Sequence, residues 1–202
     1  NSSVWGQGDA VLALLLLISI FLLNKEKYIM SSFSIGIAFL TKPQTIALFP
    51  LYLLFILKKR SLKIFWKLFI PAFIAVLLIP IPFFLSNPIF GLFELLVKTA
   101  NQYAQTSLFA YNSWGIIGFW IDDSTKALNL TYQLISTFCF LLYWIYVGYL
   151  FFRQQKPNLY LFSSLALAAF FFLPTRVHER YLYPALPFLF ITAAHFKSKL
   201  LD

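Results

Sequence analysis

Apolar residues form six long runs along this chain, and short polar segments separate them. The runs cover roughly Ala10–Leu23, Tyr28–Leu57, Leu62–Leu85, Leu130–Phe152, Leu159–Leu173 and Tyr181–Phe196. Several reach or approach the ~20 residues that a helix needs to cross a bilayer. Because helices and closed barrels are the structures that satisfy their backbone within lipid, the pattern predicts an all-α, polytopic transmembrane protein.

The composition supports an integral membrane protein. Hydrophobic residues make up 60% of the chain, charged residues 11%, and the mean hydropathy is +0.78. Since the runs recur along all 202 residues, we expect one transmembrane domain, residues 1–202. The net charge of +9 fits the basic loops of membrane proteins, and without a soluble basic domain it does not indicate nucleic-acid binding. The single cysteine, Cys139, excludes an intrachain disulfide and is expected in the core.

The second run is too long for one straight helix. Tyr28–Leu57 would span ~45 Å against a hydrocarbon core of ~30 Å. It would also place Lys42 near the bilayer centre, at a cost of ~2.5 to 3.5 kcal/mol. Pro43 removes a backbone donor and disfavours helix at the residues before it. The segment "TKPQ" therefore predicts the tip of a hairpin of two short helices.

The distribution of basic residues favours the same hairpin. A straight second helix leaves at best nine of the sixteen Lys and Arg residues inside, six outside and Lys42 buried. The hairpin places eleven on the cytoplasmic side, namely Lys25, Lys27, Lys58, Lys59, Arg60, Lys63, Lys67, Arg153, Lys156, Lys197 and Lys199. By the positive-inside rule we expect about seven membrane segments, with the N-terminus outside and the C-terminus cytoplasmic.

One long loop, residues 86–129, is expected outside the cytoplasm. Its stretch "PIFGLFELLVKTANQYA" places apolar residues at helical spacing, which predicts a helix lying in the membrane interface. Trp114 and Trp120 fit an aromatic belt. The Asp122 and Asp123 pair has no histidine neighbour, so we expect it to cap or solvate the loop rather than to bind metal.

Unusual polar segments gather on this extracytoplasmic side. They are "WGQGD" (5–9), "TKPQ" (41–44), "YNSWG" (111–115), Asp122–Asp123 and "RVHER" (176–180). The cytoplasmic side contains mainly basic anchors. The sequence therefore predicts a functional site on the outward face.

The segment "RVHER" is the strongest signal. Arg176, Glu179 and Arg180 would together cost ~8 to 10 kcal/mol if unpaired at bilayer depth, so they must pair, lie at the interface or line a wet cavity. Arginine forks and a histidine suit a phosphate group. The alternative is interfacial snorkelling with salt bridges in the loop. A zinc site of the HExxH type is excluded, because "HERYL" lacks the second histidine.

Two further segments offer weaker signals. Lys42 and Gln44 supply a cation and an amide, although a turn with a snorkelling lysine needs no function. Gln7 and Asp9 would bind sugar hydroxyls or would cap the following helix.

The order of these motifs resembles a known superfamily. "WGQGD", then "KPQ" with "ALFPLYLLF", "AYNSWGIIG" and "HERYLYPALPF" resemble the GT-C membrane glycosyltransferases, over about Trp5 to Phe188. The chain is most similar to bacterial mannosyltransferase-like proteins related to the GPI-anchor mannosyltransferases. It is also similar to the dolichyl-phosphate-glucose glucosyltransferases, which have a His-Glu-Lys where this chain has His178, Glu179 and Arg180.

The resemblance implies a GT-C-like fold and an enzyme of a bacterial or archaeal plasma membrane. Such an enzyme would transfer a hexose, with mannose favoured, from a polyprenyl-phosphate donor to a lipid-linked or cell-surface acceptor outside the cytoplasm. The general base of these families follows the first membrane helix. No segment here matches it, so we expect it upstream of Asn1, with this chain as the C-terminal part of a longer protein.

The resemblance also implies roles for individual residues. Donor phosphate binding would fall to Lys42, Arg176, His178 and Arg180. Sugar or acceptor binding would fall to Gln7, Asp9, Gln44, Asn112, Trp114 and Glu179. No cofactor is required by these motifs, and a divalent metal is left open. The expected partners are the donor, a glycan or lipid acceptor and membrane lipid.

Two other functions remain open at this point. A transporter or flippase for lipid-linked sugars or other anions would use the same cationic cavity without chemistry. The chain shows no inverted repeat, which counts against that class. The third alternative is a structural membrane subunit.

The hairpin can be tested by labelling. In a Cys139→Ser background, a cysteine replacing Pro43 should react with an impermeant thiol reagent added from outside, since the hairpin tip is extracytoplasmic. Labelling only from the cytoplasmic side would reject the topology.

Overall fold

The computed structural model describes residues 8–88 and 90–201, with side chains up to Phe196. Gln7 lies outside the described residues. Within them the chain forms α1 (Asp9–Asn24), α2 (Tyr28–Thr41), α3 (Phe49–Lys59), α4 (Leu62–Leu78), α5 (Gly91–Ala100), α6 (Tyr132–Arg153), α7 (Leu159–Phe172) and α8 (Ala185–Leu201). Short strands are β1 (Ser107–Leu108), β2 (Lys126–Ala127), β3 (Leu130–Thr131) and β4 (Val177–His178). Four 3-10 helices cover Pro43–Leu48, Ile81–Phe83, Ser113–Ile116 and Glu179–Leu182.

The predicted helical class is confirmed. Among the described residues, two helical segments are long and apolar enough to cross a membrane, Leu62–Phe83 and Tyr132–Arg153. Most of their residues are on the surface, as suits helices that face lipid. The remaining apolar helices are shorter, and a seven-span topology stays a prediction.

The chain divides into two compact units, which we describe separately. The first contains Asn1–Ile79, Leu150–Leu167 and Tyr183–Asp202, and the second contains Pro80–Tyr149 and Ala168–Leu182. Whether residues 1–202 act as a single domain with a loop at 86–129 stays a prediction.

In the first unit, α2 and α3 form the predicted hairpin. The ring of Tyr28, at the start of α2, lies 6.1 Å from that of Phe55 near the end of α3. At the opposite end, the rings of Phe39 and Phe49 lie 5.7 Å apart. The chain leaves α2 at Lys42, whose extended backbone (φ −152°, ψ 127°) interrupts the helix directly before the proline. The break and the reversal of direction are therefore confirmed.

Hydroxyl groups join the helices of this unit. The Ser19 hydroxyl of α1 donates to the Ser31 carbonyl oxygen of α2 at 2.7 Å, and the Ser31 hydroxyl donates back to the Ser19 carbonyl oxygen at 2.8 Å. The Tyr52 hydroxyl of α3 lies 2.6 Å and 2.8 Å from these two hydroxyl oxygens. Since each group is buried, the network fixes the register of three helices.

A second polar contact lies where α2 crosses α4 beside Pro71. The Ser32 hydroxyl donates to the Leu68 carbonyl oxygen at 2.5 Å and accepts from the Ala72 N–H at 2.9 Å. These two groups pair with each other in a regular helix. The serine thus supports the helix backbone next to the proline, as membrane helices require. A side chain at Gly36 would lie 3.0 Å from the Ala72 backbone, so glycine permits this close crossing.

The second unit contains the predicted loop helix, α5, at Gly91–Ala100. Its placement in the membrane interface stays a prediction. After α5 the chain is irregular and is held by two small sheets: β1 pairs with β4 in parallel, and β2 pairs with β3 in antiparallel. A buried cluster of Ala110, Phe171 and Val177 brings this loop against the end of α7.

One sequence expectation is wrong. Cys139 is exposed on the surface of α6 rather than packed in the core. The α6 helix is apolar on every face, and most of its residues are on the surface of the protein. Such a helix is suited to contact with lipid, so an apolar run around Cys139 does not require that Cys139 be buried.

The Ser32 contact yields a stability prediction. Ser32→Ala should lower the free energy of unfolding in detergent by about 1 kcal/mol, because two buried backbone groups lose a partner beside Pro71. Thr137→Ala is the matched control, since its hydroxyl is exposed and bonds only within its own helix. Equal stability of both variants, measured by reversible unfolding, would contradict a supporting role for Ser32.

Candidate functional site

The predicted polar residues fall into two clusters, one in each unit. The first cluster contains Asp9, Lys42 and Gln44. The second is built around the "RVHER" segment and the loop of residues 100–123.

Asp9 and Lys42 form an ion pair in the first cluster. Lys42 Nζ lies 2.5 Å from Asp9 Oδ1, with the side chains 21% and 8% exposed. The α1 helix begins with Gly8 at its N-cap and no side-chain cap bond, so Asp9 is not the N-cap residue but lies in the first helical turn. The helix dipole stabilises the Asp9 carboxylate in the first turn. The same carboxylate neutralises the Lys42 ammonium, which would otherwise be an unpaired charge at the hairpin tip.

Gln44 lies in the same cluster, in the 3-10 helix after Pro43. Its side chain is buried, and neither amide atom has a hydrogen-bond partner among the described residues. A buried amide without partners costs free energy. Such a group indicates a place where a hydroxyl or another polar ligand would be stabilised.

In the second cluster, Arg176 donates four hydrogen bonds to protein groups. Its Nε donates to Asp123 Oδ2 at 2.7 Å and its Nη2 to Asp123 Oδ1 at 3.3 Å. Its Nη1 donates to the Ala100 carbonyl oxygen at 3.0 Å and to Asn101 Oδ1 at 3.1 Å. The guanidinium therefore clamps the end of α5 to the loop. This is the salt-bridge alternative that the sequence left open.

Asp123 is a correction to the sequence reading. We expected it to cap or solvate the loop, but its side chain is 2% exposed and pairs with Arg176. The Thr175 hydroxyl also donates to Asp123 Oδ2 at 2.9 Å. Asp122, in contrast, is exposed and accepts from the Ser124 N–H at 2.8 Å, as a loop cap does. Hydrogen bonds from Ser124 and the nearby Arg176 charge lower the pKa of the Asp122 carboxyl.

His178 lies between two tyrosine rings. Its ring centroid is 5.5 Å from that of Tyr103 and 5.4 Å from that of Tyr181. Its backbone is fixed because β4 pairs with β1, with Leu108 opposite His178. The ring is half-buried, so its position is defined by packing from two sides.

Arg180 differs from Arg176. It follows His178 in the 3-10 helix Glu179–Leu182, and its Nε is buried without a hydrogen-bond partner among the described residues. Within the same residues it forms no ion pair. Glu179, its neighbour, is exposed. Arg180 is thus the arginine of the segment whose charge is not neutralised by a described carboxylate.

Asn112 and Trp114 are used by the fold. The Asn112 side chain accepts from the Trp114 and Gly115 N–H groups and donates to the Phe171 carbonyl oxygen at 3.1 Å. Trp114 is buried, and its indole N–H donates to the Leu173 carbonyl oxygen at 2.6 Å. These contacts attach the loop to α7. A role for either residue in sugar binding stays a prediction.

No group of three His, Cys, Asp or Glu side chains in the described part of the chain is arranged to hold an ion.

Sequence reasoning missed the aromatic partners of His178. Tyr181 is only three residues away, in the 3-10 helix that follows β4, and this closeness in sequence was a usable signal. Tyr103 is 75 positions away, and no local pattern connects it to the histidine.

An apolar helical protein with buried cationic and amide groups fits a membrane enzyme that acts on polar substrates. The model of glycosyltransferase family 87 matches residues 1–175. The chain belongs to this family, and its activity is that of a membrane glycosyltransferase using a sugar donor and an acceptor. No curated protein and no solved structure gives a significant match.

The engaged arginine yields a prediction for the second unit. Asp123→Asn should destabilise the protein by about 3 kcal/mol, because it leaves the Arg176 charge without its buried partner. Thermal unfolding in detergent measures the effect. The control is Glu94→Gln, which removes an exposed carboxylate from the same loop. A loss no larger than that of the control would show that the ion pair does not organise the loop.

Proposed function

We propose that the protein transfers a hexose, with mannose favoured, from a polyprenyl-phosphate donor to a lipid-linked or cell-surface acceptor on the extracytoplasmic side of the membrane. Membership of glycosyltransferase family 87 supports sugar transfer. The identity of the donor, the sugar and the acceptor is part of the proposal.

The observation that carries the proposal is the state of Arg180. A polyprenyl phosphate that leaves the sugar accumulates negative charge, and a cation in a partly dry site stabilises that charge strongly. Arg176 is neutralised by Asp123, whereas Arg180 has neither an ion pair nor a partner for Nε among the described residues. Arg180 is therefore the guanidinium that we assign to the phosphate, with His178 beside it.

The first cluster is a separate polar set within the first unit. Lys42 stays a proposed donor-phosphate residue, but Asp9 balances its charge at 2.5 Å. Asp123 balances the charge of Arg176 in the same way, so the phosphate assignment rests on Arg180. Gln44 offers both a donor and an acceptor atom, which suits a sugar hydroxyl. The proposed roles of Lys42 and Gln44 are supported by the presence of polar side chains at a largely buried position in an apolar chain.

The reaction balances without a cofactor. A carboxylate base removes the proton of the acceptor hydroxyl, and the oxygen forms a bond to the anomeric carbon of the sugar. The bond between that carbon and the phosphate oxygen breaks, and the phosphate leaves with the electron pair. We assign the base to none of the described residues.

The test compares the two arginines of one segment in the full-length protein. Arg180→Ala and His178→Ala should each reduce mannose transfer from polyprenyl-phosphate mannose at least 100-fold, because phosphate stabilisation is lost. Membrane insertion should be unchanged in both variants, and thermal stability should be unchanged in Arg180→Ala, whose Nε has no partner among the described residues. Arg176→Gln should instead lower stability, since its contacts are structural.

Two controls sharpen this experiment. Lys98→Ala removes an exposed cation of the second unit and should leave transfer intact. Carrying out the assay in detergent micelles separates transfer from flipping, because product then forms without compartments. Full transfer by Arg180→Ala would remove the phosphate assignment, and an absence of transfer by the wild-type protein with any mannosyl donor would reject the proposed donor.

A further inference from the structure

A continuous series of aromatic rings extends from His178 to the surface of the second unit. The His178 ring contacts Tyr103, whose centroid lies 6.4 Å from that of Trp120. Trp120 in turn meets Phe109 edge to face, at 5.4 Å between centroids. We call Tyr103, Phe109 and Trp120 the aromatic platform. All three side chains are 40% to 58% exposed.

The platform is held in place by the backbone. Phe109 forms an isolated β-bridge with His178, and the Trp120 N–H donates to the Ser107 carbonyl oxygen of β1 at 3.0 Å. The same strand, β1, pairs with β4, which carries His178. The backbone at Phe109 and Trp120 is therefore fixed relative to the "RVHER" segment by hydrogen bonds, and Tyr103 is placed by its ring contacts with His178 and Trp120.

Two platform residues adopt a backbone conformation that bulky side chains rarely take. Phe109 has φ 58° and Trp120 has φ 62°, both in the left-handed region. Each costs about 1 kcal/mol or more, and such strain persists where the surrounding structure enforces it, often at ligand sites. Both side chains remain about half exposed in this conformation.

The chemistry of the platform fits a pyranose. One face of a hexose ring presents C–H groups, which pack on aromatic faces, while its hydroxyls bond to polar edges. Trp120 and Tyr103 combine an aromatic face with an N–H or O–H group. Gln105 adds a buried side-chain oxygen without a partner among the described residues, two positions from Tyr103.

We propose that the aromatic platform is a binding subsite for a hexose ring of the acceptor glycan. This inference rests on the proposed function, because it places the acceptor sugar next to the residues assigned to the donor phosphate. The commitment to a sugar rests on continuity with His178 and on the amphipathic rings. Insertion of the rings into lipid is the competing outcome of the test.

The experiment measures sugar binding without turnover. The full-length protein in lipid nanodiscs is titrated with mannotriose, and saturation transfer to the sugar ring protons is recorded by NMR. Wild type should transfer saturation to mannotriose and not to sorbitol, an open-chain polyol without a ring face. Trp120→Leu, which keeps apolar volume but loses the π face, should reduce the signal at least fivefold. Trp120→Phe should retain most of it.

Phe93→Ala is the matched control. Phe93 is exposed on α5 in the same unit, and it forms no ring contact with the platform among the described residues. The Phe93→Ala variant should bind mannotriose as the wild type does. A wild-type protein that gives no mannotriose signal, or a Trp120→Leu variant with an undiminished signal, overturns the subsite.

Kinetics and quenching separate the remaining alternatives. With an acceptor glycan, Trp120→Leu should raise the acceptor KM at least tenfold and leave the donor KM within twofold. The emission of Trp120 is the difference in fluorescence between the wild type and Trp120→Phe. Brominated lipid should not quench this emission. Strong quenching would place the Trp120 ring in lipid and reject the proposal. If mannotriose binds normally but no sugar is transferred, the proposed function fails while the subsite stands.

Discussion

Polar groups in this chain must find partners within the protein, because apolar side chains surround its helices. In the first unit this constraint is met by serine and tyrosine hydroxyls at the helix crossings. Ser19, Ser31 and Tyr52 bond to one another and to carbonyl oxygens, and Ser32 serves the α4 backbone beside Pro71. A missing partner would leave a dipole in an apolar medium at a cost of about 1–3 kcal/mol. The positions of these few hydroxyls therefore decide how α1 to α4 pack.

Because buried polar groups need partners, the polar atoms that remain unpaired are candidates for ligand binding. In the second unit, Asp123 balances the charge of Arg176 and accepts from its Nε and Nη2, while Nη1 of the same guanidinium bonds to Ala100 and Asn101 at the end of α5. Gln44 and the Nε of Arg180 are buried without partners in the described part of the chain. The same holds for Gln105 Oε1, Trp144 Nε1 and Thr192 Oγ1. An unpaired buried polar atom costs free energy that a bound ligand would recover. Gln44 and Arg180 are binding candidates because they also belong to the polar segments "TKPQ" and "RVHER".

Sequence reasoning reached the features that depend on local chemistry. Pro43 and the distribution of lysines were sufficient for the hairpin, since a proline acts on its own neighbours. The helix at Gly91–Ala100 followed from its periodicity. The pairing of Asp123 with Arg176 could not be predicted, because the residues are 53 positions apart and meet only through the folded loop. For the same reason the sequence favoured Trp114 for sugar stacking, whereas Trp120 has the more exposed ring.

The two arginines of "RVHER" show why residue type alone does not define a phosphate site. The two arginines are four residues apart and lie near one structural element. The electrostatic potential that each guanidinium produces still depends on the groups around it. Arg176 contributes little net potential, because a buried carboxylate 2.7 Å away cancels it. Glu179 is exposed, so water screens its charge. The electrostatic field of the segment is therefore carried mainly by Arg180, which follows His178 by two residues, and the His178 ring contacts the aromatic platform. A phosphate and a sugar ring need two different surfaces, one cationic and one apolar, and the chain from β4 into the following 3-10 helix carries residues of both kinds.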